Sequence, residues 1–261
     1  MKPHPLRRRR IPLRLARPKT HLPKLSLEDA TLVAGLHHPR YDLRDAALRA
    51  VLASGRADLA PSLFPLLSNR RCSVLQSDAA VALGNLLSGT GHVPRPLKRL
   101  LRDPYWVTRI DALEAVDEIG DYRVLPLLTR ALYDKHPIVR SYAASILGHT
   151  TWQHFVPRLR KVLARERDER AKVGLFQGLI LLGDTRLLDP LLELLKSPDY
   201  TMRCTVLHSL EALELSAEDL SRVVSVLEKL GEREPTRAVR STLDDVLRKL
   251  RTTDQLPASS C

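Results

Sequence analysis

Apolar residues return with the same helical spacing at regular intervals along most of the chain. In each interval, mainly apolar residues stand three, four and seven positions after an anchor residue, as Ala112, Leu113 and Val116 do after Arg109. This spacing places the three side chains on one face of an α-helix. The anchors, which lie 31 to 37 residues apart, are Arg44, Gln76, Arg109, Arg140, Lys172, Arg203 and Arg240. The pattern therefore predicts seven helices that each bury one face.

A second, leucine-rich helix is predicted before most of these helices. Proline lies in its first turns, where it costs little because those amides have no partner within the helix. The prolines in this position are Pro61, Pro94, Pro126, Pro157 and Pro190. One such helix pair is too small to bury its own apolar faces and must stack on its neighbours. The sequence thus predicts an all-α fold, an α-solenoid of about seven helix pairs over residues 26–251, with a C-terminal tail at 252–261.

The repeat also resembles a known family. Residues 121–148, DYRVLPLLTRALYDKHPIVRSYAASILG, carry the pattern best, and it is similar to HEAT repeats of the short bacterial type named after phycobilisome lyases. The resemblance covers most of residues 26–251 and implies a HEAT-like solenoid. It implies little about activity, because such repeats occur in lyase subunits, redox-enzyme appendages, DNA glycosylases and plain adaptors.

The resemblance further implies a ladder of charged residues between neighbouring repeats. In the HEAT pattern this ladder is formed by the anchor and by an acidic residue six positions before it. The pairs in this chain are Asp103 and Arg109, Asp134 and Arg140, Glu166 and Lys172, and Glu234 and Arg240. Repeats one, two and six depart from the pattern, with His38, Arg70 and Ser197 at the acidic position. Arg109 is therefore expected to be structural and not catalytic.

The composition agrees with helices and limits the chemistry. Aromatic residues are only 4% of the chain, and a core of Leu, Ala and Val suits packed helices better than strands. Cys72, Cys204 and Cys261 lie too far apart for a disulfide framework or a structural zinc site, so a reducing cytoplasm is the expected location. No apolar run is long enough to span a bilayer. No metal site and no cofactor is predicted.

Most of the net charge of +12 belongs to the N-terminal segment. Residues 1–25 hold nine basic residues and no acidic one, which leaves 33 basic against 30 acidic residues in the rest of the chain. Frequent prolines oppose a continuous helix there, so residues 1–25 are predicted to form a flexible basic arm. Its densest charge is at Arg7, Arg8, Arg9 and Arg10. The arm is expected to contact nucleic acid or an anionic surface by charge, or to fold back on an acidic face of the solenoid.

Two groups of charged residues on the solenoid are candidate partner-binding sites. A basic patch is predicted on the first helices of repeats three and five, with Thr129 and Tyr133 between the two halves; it consists of Arg95, Lys98, Arg99, Arg102, Arg158, Lys161 and Arg165. An acidic row is predicted at exposed positions of the second helices, which normally line the concave surface; it consists of Asp45, Asp78, Asp111, Glu114 and Asp117. Such an acidic surface repels a phosphate backbone. The alternative interpretation of both groups is an ordinary solvated face.

One further alternative concerns Trp106. The WVTR run faintly resembles a motif of HEAT-type alkyl-purine DNA glycosylases, although HTTWQHF around Trp152 does not match that family. The ordinary interpretation is a ring that covers the apolar end of a helix pair. Because no nucleophile, phosphate loop or metal-ligand set is present, the sequence favours a non-catalytic scaffold that binds another protein. An enzyme or enzyme subunit, bilin-lyase-like or glycosylase-like, and nucleic-acid binding through the arm are the alternatives.

Overall fold

The computed structural model describes residues 26–68, 73–90, 92–120 and 122–254, and within these ranges every regular element is a helix. The α-helices form seven consecutive pairs. These pairs are α1 (Leu27–Gly35) with α2 (Tyr41–Ala53), α3 (Phe64–Leu67) with α4 (Ser73–Leu87), α5 (Arg95–Leu100) with α6 (Trp106–Ile119), α7 (Leu125–Ala131) with α8 (Pro137–His149), α9 (Val156–Leu163) with α10 (Glu169–Leu181), α11 (Leu188–Glu193) with α12 (Tyr200–Glu211), and α13 (Ala217–Arg233) with α14 (Arg237–Asp254). The prediction of an all-α solenoid of seven pairs is confirmed.

The anchors occupy one position in this architecture. Each of the seven is the fourth residue of the second helix in its pair, from Arg44 in α2 to Arg240 in α14. The apolar residues that follow an anchor are buried, and Ala112, Leu113 and Val116 in α6 are fully enclosed. Helix α6 then ends at Gly120, whose φ of 64° is the left-handed conformation that glycine adopts without strain. The periodicity of the sequence therefore fixes both the register and the buried face.

The second helices form the more closely packed layer of the solenoid. Consecutive second helices contact one another all along the chain, whereas consecutive first helices are in much looser contact. Because the inner layer of a curved stack is the one in which helices lie closer together, the second helices line the concave side. The spacing within this layer is uneven: α4 packs tightly on α6 and α8 on α10, while α6 and α8 are farther apart.

Glycine permits the tightest of these contacts. A Cβ atom at Gly174 in α10 would lie 2.0 Å from the carbonyl oxygen of Ser141 in α8, and one at Gly178 would lie 2.3 Å from the carbonyl oxygen of Ala144. These distances are far below van der Waals contact, and the opposing atoms belong to the backbone. Helices α8 and α10 therefore approach each other at a distance that no other residue permits at these positions.

The core consists of two clusters of buried apolar residues. One extends from the first repeat to α10, and the other from α10 to α14. Helix α10 contributes to both, with Leu175 and Leu179 in the first cluster and Val173 and Phe176 in the second. No helix in the described part of the chain is both long and apolar enough to cross a membrane.

Candidate binding surfaces

A ladder of arginine–carboxylate pairs joins neighbouring repeats. Arg109 donates from Nε and Nη2 to the carboxylate of Asp134 in the following repeat, at 2.9 and 2.7 Å, and from Nη1 to the carbonyl oxygen of Asp103 at 2.7 Å. Arg140 makes the same contacts to Glu166 and to the carbonyl oxygen of Asp134. The predicted ladder is present in part: three anchors, Arg109, Arg140 and Arg203, each bind the acidic residue of the following repeat, whereas Lys172 and Arg240 form no ion pair within the described residues.

The ladder continues at Arg203, where the pair is the most buried. Arg203 donates two hydrogen bonds to Glu234, at 2.9 and 2.8 Å, and the Glu234 side chain is only 2% exposed. Burial alone would raise the pKa of the Glu234 carboxyl, but the hydrogen bonds from Arg203 and Thr236 hold it below its ordinary value. These charged side chains stabilise the contacts between repeats and are not available to bind a partner.

Trp106 also contributes to the contact between repeats three and four, which the Arg109–Asp134 pair joins. Its ring stacks on His136, the N-cap residue of α8, with the centroids 4.4 Å apart and the planes 4° from parallel. Burial, followed by the nearby charges of Arg109 and Arg170, lowers the pKa of His136, which favours a neutral ring in the stack. Trp106 and Arg109, the two side chains that resemble the glycosylase motif, are thus both used in packing.

The residues of the predicted basic patch lie on the first helices of repeats three and five and on the turns that follow them. All seven of its residues are exposed, and none forms an ion pair with another residue of the described ranges. A groove of about 440 Å³ between α5 and α7 is lined by Lys98, Arg102 and Tyr133. A second groove, between α7 and α9, joins Thr129 to Arg158. The two halves therefore lie on one side of the solenoid with Thr129 and Tyr133 between them.

The structure adds two cations and exposes one aromatic ring on this surface. Arg130 and Lys135 also line the groove beside Tyr133, and both are exposed. Tyr133 is 64% exposed. Sequence analysis missed Arg130 and Lys135 because they follow no periodic pattern, and only the folding of α7 against α5 brings them to the groove. We call the seven predicted residues, together with Arg130, Tyr133 and Lys135, the basic surface.

The acidic row does not form one uniformly exposed surface. Asp45 is half-buried and pairs with Arg49, while Asp78 and Asp117 are exposed and Glu114 is half-buried. Asp111 was expected to be exposed, and this expectation is wrong: only 4% of it is accessible. The physical reason is the close packing of α4 on α6, since Asp111 shares its side of α6 with Glu114 and Glu118, which contact α4.

The acidic residues of α6 form a local cluster with Tyr142 of α8. Glu114 accepts a hydrogen bond from the Ser77 hydroxyl at 2.9 Å, and Glu118 accepts one from the Asn85 amide at 3.2 Å. Burial and the charge of Glu114 raise the pKa of Asp111 to about 6. Asp117 is exposed at its surface, but desolvation by the surrounding helices and the charge of Glu118 raise its pKa to about 6. Burial, followed by these negative charges, also raises the pKa of Tyr142. Sequence analysis missed Tyr142, because nothing in its local pattern indicates that it faces α6.

The remaining predicted site residues belong to the basic arm. Arg7, Arg8, Arg9 and Arg10 lie outside the described residues. In the part of the chain that the structure describes, no group of three or more His, Cys, Asp or Glu side chains is arranged to hold a metal ion.

The repeat geometry agrees with comparisons to known proteins. A family model described as HEAT repeats matches residues 93–173 and 156–248, which together span more than half of the chain. The chain belongs to the HEAT-repeat family. The solved complex of CpcE and CpcF of phycocyanin lyase from Nostoc sp. PCC7120 shares the fold of this HEAT-repeat chain at 18% identity, with a TM-score of 0.50 over 89% of this chain and 97% of that chain.

A second solved structure that matches is the archaeal HEAT-like repeats protein from Thermococcus onnurineus NA1. It is 15% identical to this HEAT-repeat chain, with a TM-score of 0.34 over 87% of this chain and 98% of that chain. The sequence has no significant match among curated proteins.

Proposed function

We propose that this HEAT-repeat chain is a non-catalytic scaffold that binds an acidic segment of a partner protein on its basic surface. The observation that supports this function is the contrast between two sets of arginines. The ladder arginines are buried and bidentate, whereas the cations of the basic surface are exposed and form no ion pair with other described residues. A surface that keeps so many unneutralised cations together gains free energy when a complementary acidic chain binds.

The shape of the surface supports a peptide-like partner. The groove between α5 and α7 combines apolar lining from Leu101 and Leu127 with the exposed ring of Tyr133 and a rim of cations. Asp103 and Asp134 also line it, so exposed cations outnumber the carboxylates there. Exposed tyrosine at the centre of a polar rim is typical of protein interfaces, where the ring supplies contact area at little conformational cost. An acidic segment that carries one apolar anchor side chain fits this groove.

Charge reversal tests the proposal with a defined probe. The full chain is titrated with a fluorescently labelled acidic peptide, rich in Asp and Glu with one Leu, and binding is measured by anisotropy at low salt. Replacing Arg95, Lys98, Arg99 and Arg102 by Glu is expected to weaken binding by about tenfold or more, because rim charges set the electrostatic attraction. A separate variant controls for net charge. It carries the same number of charge reversals elsewhere, with Lys229, Arg233, Arg237 and Arg240 replaced by Glu.

The outcomes of this titration are distinct. Equal loss of binding in both variants would show that only the net charge matters and would contradict a specific surface. A single-stranded oligonucleotide is tested in the same way. If it binds as tightly as the acidic peptide and charge reversal weakens both equally, the partner would be a nucleic acid and not a protein. Affinity capture with the wild-type chain and the four-residue variant then identifies the natural partner.

The fold shared with the CpcE–CpcF complex leaves a lyase subunit as the alternative function. At 18% identity this likeness extends to the fold alone. A lyase subunit is expected to bind a bilin and change its absorption spectrum, and a chain that leaves the spectrum unchanged is not one.

A further inference from the structure

Helix α10 forms the floor of a groove on the concave side. Val173 and Gln177 of α10 line this groove and are almost fully buried, whereas His149 of α8 and His208 of α12 line its sides and are exposed. The groove encloses about 360 Å³ and follows the helix axes from Ile138 to His149. At the rise of an α-helix this distance is about 16 Å, which an extended chain of about five residues spans.

Gln177 in this floor is a buried polar side chain without a partner. Only 7% of the residue is accessible, and its amide forms no hydrogen bond with any other described residue. Buried amides nearly always have a partner, because they otherwise lose their hydration without compensation. The Gln177 amide offers donors and an acceptor to the groove, and each peptide unit of a bound chain supplies one acceptor and one donor in return.

The groove continues into a second pocket at the end of α8. Asp117 and His149 line both, and the second pocket, of about 270 Å³, is also lined by Tyr122 and Trp152. Both rings are exposed. The guanidinium of Arg123 lies 5.4 Å from the centre of the Tyr122 ring, so this ring already interacts with a cation. Trp152 is therefore the ring that can contact a ligand.

Trp152 is held in an exposed position by a strained turn. Its ring lies parallel to that of the buried Phe155, with the centroids 6.5 Å apart, yet 42% of Trp152 is accessible. The preceding residue, Thr151, has a φ of 58°, and no other non-glycine residue of the described ranges has a positive φ. A β-branched residue is strained in this conformation, and such strain is typical of binding sites. The turn thus supports a ligand contact at Trp152 independently of Gln177.

The charges of the two pockets indicate what the ligand is. Within the part of the chain that the structure describes, neither pocket is lined by a lysine or an arginine, and Asp117 is the one carboxylate in both. A guanidinium or ammonium group beside Asp117 forms a charge-assisted hydrogen bond and a cation–π contact with the Trp152 ring. A nucleic acid finds no cation here for its phosphates.

We propose that the groove and the second pocket bind an extended segment of a partner protein that carries an arginine or a lysine at one end. The Gln177 amide binds the backbone of this segment, while Asp117 and Trp152 bind the cationic side chain. We call Asp117, Trp152 and Gln177 the concave site. The proposal does not depend on the basic surface, which lies on the first helices and attracts the opposite charge.

A positional-scanning peptide library tests the class of ligand. The immobilised full chain is offered capped peptides of about seven residues, in which one position at a time is fixed to a given amino acid. Selection of arginine or lysine at one position is the expected result. Selection of neither residue at any position overturns the proposal. Acidic peptides retained by the basic surface form a separate set, so the failure of either proposal is recognised separately.

Substitutions test whether the selected peptide binds at the concave site. Asp117→Asn, Trp152→Ala and Gln177→Leu are each expected to weaken binding, measured by anisotropy, by about fivefold or more, because each removes one of the contacts. Gln177→Leu keeps the volume of the side chain and removes an unpaired amide. This variant is therefore expected to remain as stable as wild type in thermal unfolding, so that its loss of binding does not arise from unfolding.

Two matched variants act as controls. Asp78→Asn removes an exposed carboxylate from α4, and Tyr200→Ala removes an exposed ring from α12; neither residue lines the groove or the second pocket. Both variants are expected to bind the peptide with wild-type affinity. Unchanged binding in the three concave-site variants, or an equal loss in the controls, contradicts the proposal.

Tryptophan fluorescence reports the contact directly. The chain has two tryptophans, of which Trp106 is stacked on His136 between repeats and Trp152 is exposed. Addition of the selected peptide is expected to change the emission of wild type and to leave that of Trp152→Ala unchanged. A change of emission that persists in Trp152→Ala would place the peptide elsewhere and overturn the proposal.

Discussion

At the scale of single residues, buried carboxylates have opposite effects on stability that depend on their neighbours. Glu234 is buried beside Arg203, and its carboxylate stabilises the fold. Asp111 is equally buried, but its Oδ2 atom has no partner, and its ionised form destabilises the fold. The difference lies only in whether an arginine reaches the carboxylate, since an unpaired buried charge loses hydration without compensation.

The Asp111→Asn variant is expected to be more stable than wild type at pH 7.5. The pKa of Asp111 is raised to about 6 in the folded chain, above its unfolded value, so ionisation is unfavourable in the fold. Removing the charge is expected to increase the free energy of unfolding by roughly 1–3 kcal/mol at pH 7.5. Urea denaturation monitored by circular dichroism measures this change.

The pH dependence provides the control for this prediction. Between pH 6 and the unfolded pKa near 4, the folded chain binds the additional proton, so the advantage of the variant shrinks as the pH falls and disappears below pH 4. Asp78→Asn, a change of the same type at an exposed position, is expected to leave stability unchanged. A variant of Asp111 that is less stable than wild type would show that this carboxylate has a structural partner.

At the scale of helices, the spacing of the concave layer is set by very small residues. Gly174 and Gly178 bring the backbone of α10 against that of α8, and Gly84 brings α4 against Ala115 of α6, whereas no glycine contact of this kind joins α6 and α8 among the described residues. The spacing of the concave layer therefore follows the positions at which glycine permits backbone contact between second helices.

The Gly174→Ala variant is expected to destabilise the solenoid despite the better helix propensity of alanine. The new Cβ would meet the backbone oxygen of Ser141 at 2.0 Å, so α8 and α10 must separate. Overpacking of this kind costs about 1–3 kcal/mol. Thermal unfolding followed by circular dichroism measures the loss.

Gly231→Ala is the matched control for this variant. Gly231 lies in α13, where the added Cβ would meet only the end of the flexible Leu243 side chain at 3.1 Å. A similar loss of stability in both variants would show that the effect arises from glycine substitution itself and not from the contact between α8 and α10.

At the scale of the whole molecule, contacts between neighbouring repeats provide nearly all of the packing among the described helices. The two core clusters meet at α10, so a substitution that destabilises one cluster is expected to have little effect on the other. In such architectures stability is close to a sum over repeats and interfaces, and unfolding need not be all-or-none.

The Leu227→Ala variant is expected to reveal this division. Leu227 in α13 is fully buried in the second cluster, and its truncation costs about 2–5 kcal/mol locally. Native-state hydrogen exchange is expected to show faster exchange in α12 to α14 and unchanged exchange in α4 to α8. Equal acceleration in both regions would show that the chain unfolds as one cooperative unit.

The sequence by itself determined the repeat, the register and the ladder. The spacing of apolar residues after each anchor places one helix face in the core of every repeat from Arg44 to Arg240, with the exposed Asp244 as the departure in the last repeat. The positions of the basic patch followed from the same rule, because residues at one phase of a stacked repeat lie on one side. Periodic features can be predicted from the sequence in this way because each repeat packs between similar neighbours.

Only the tertiary structure decided the features that break the period. Asp111 occupies a phase expected to be exposed, yet it is buried because it lies on the side of α6 that packs closely on α4. Tyr142 and Arg130 join their sites through packing between helices that are distant along the chain. The distance between two neighbouring helices depends on every side chain in their interface at once, and no single repeat carries that information.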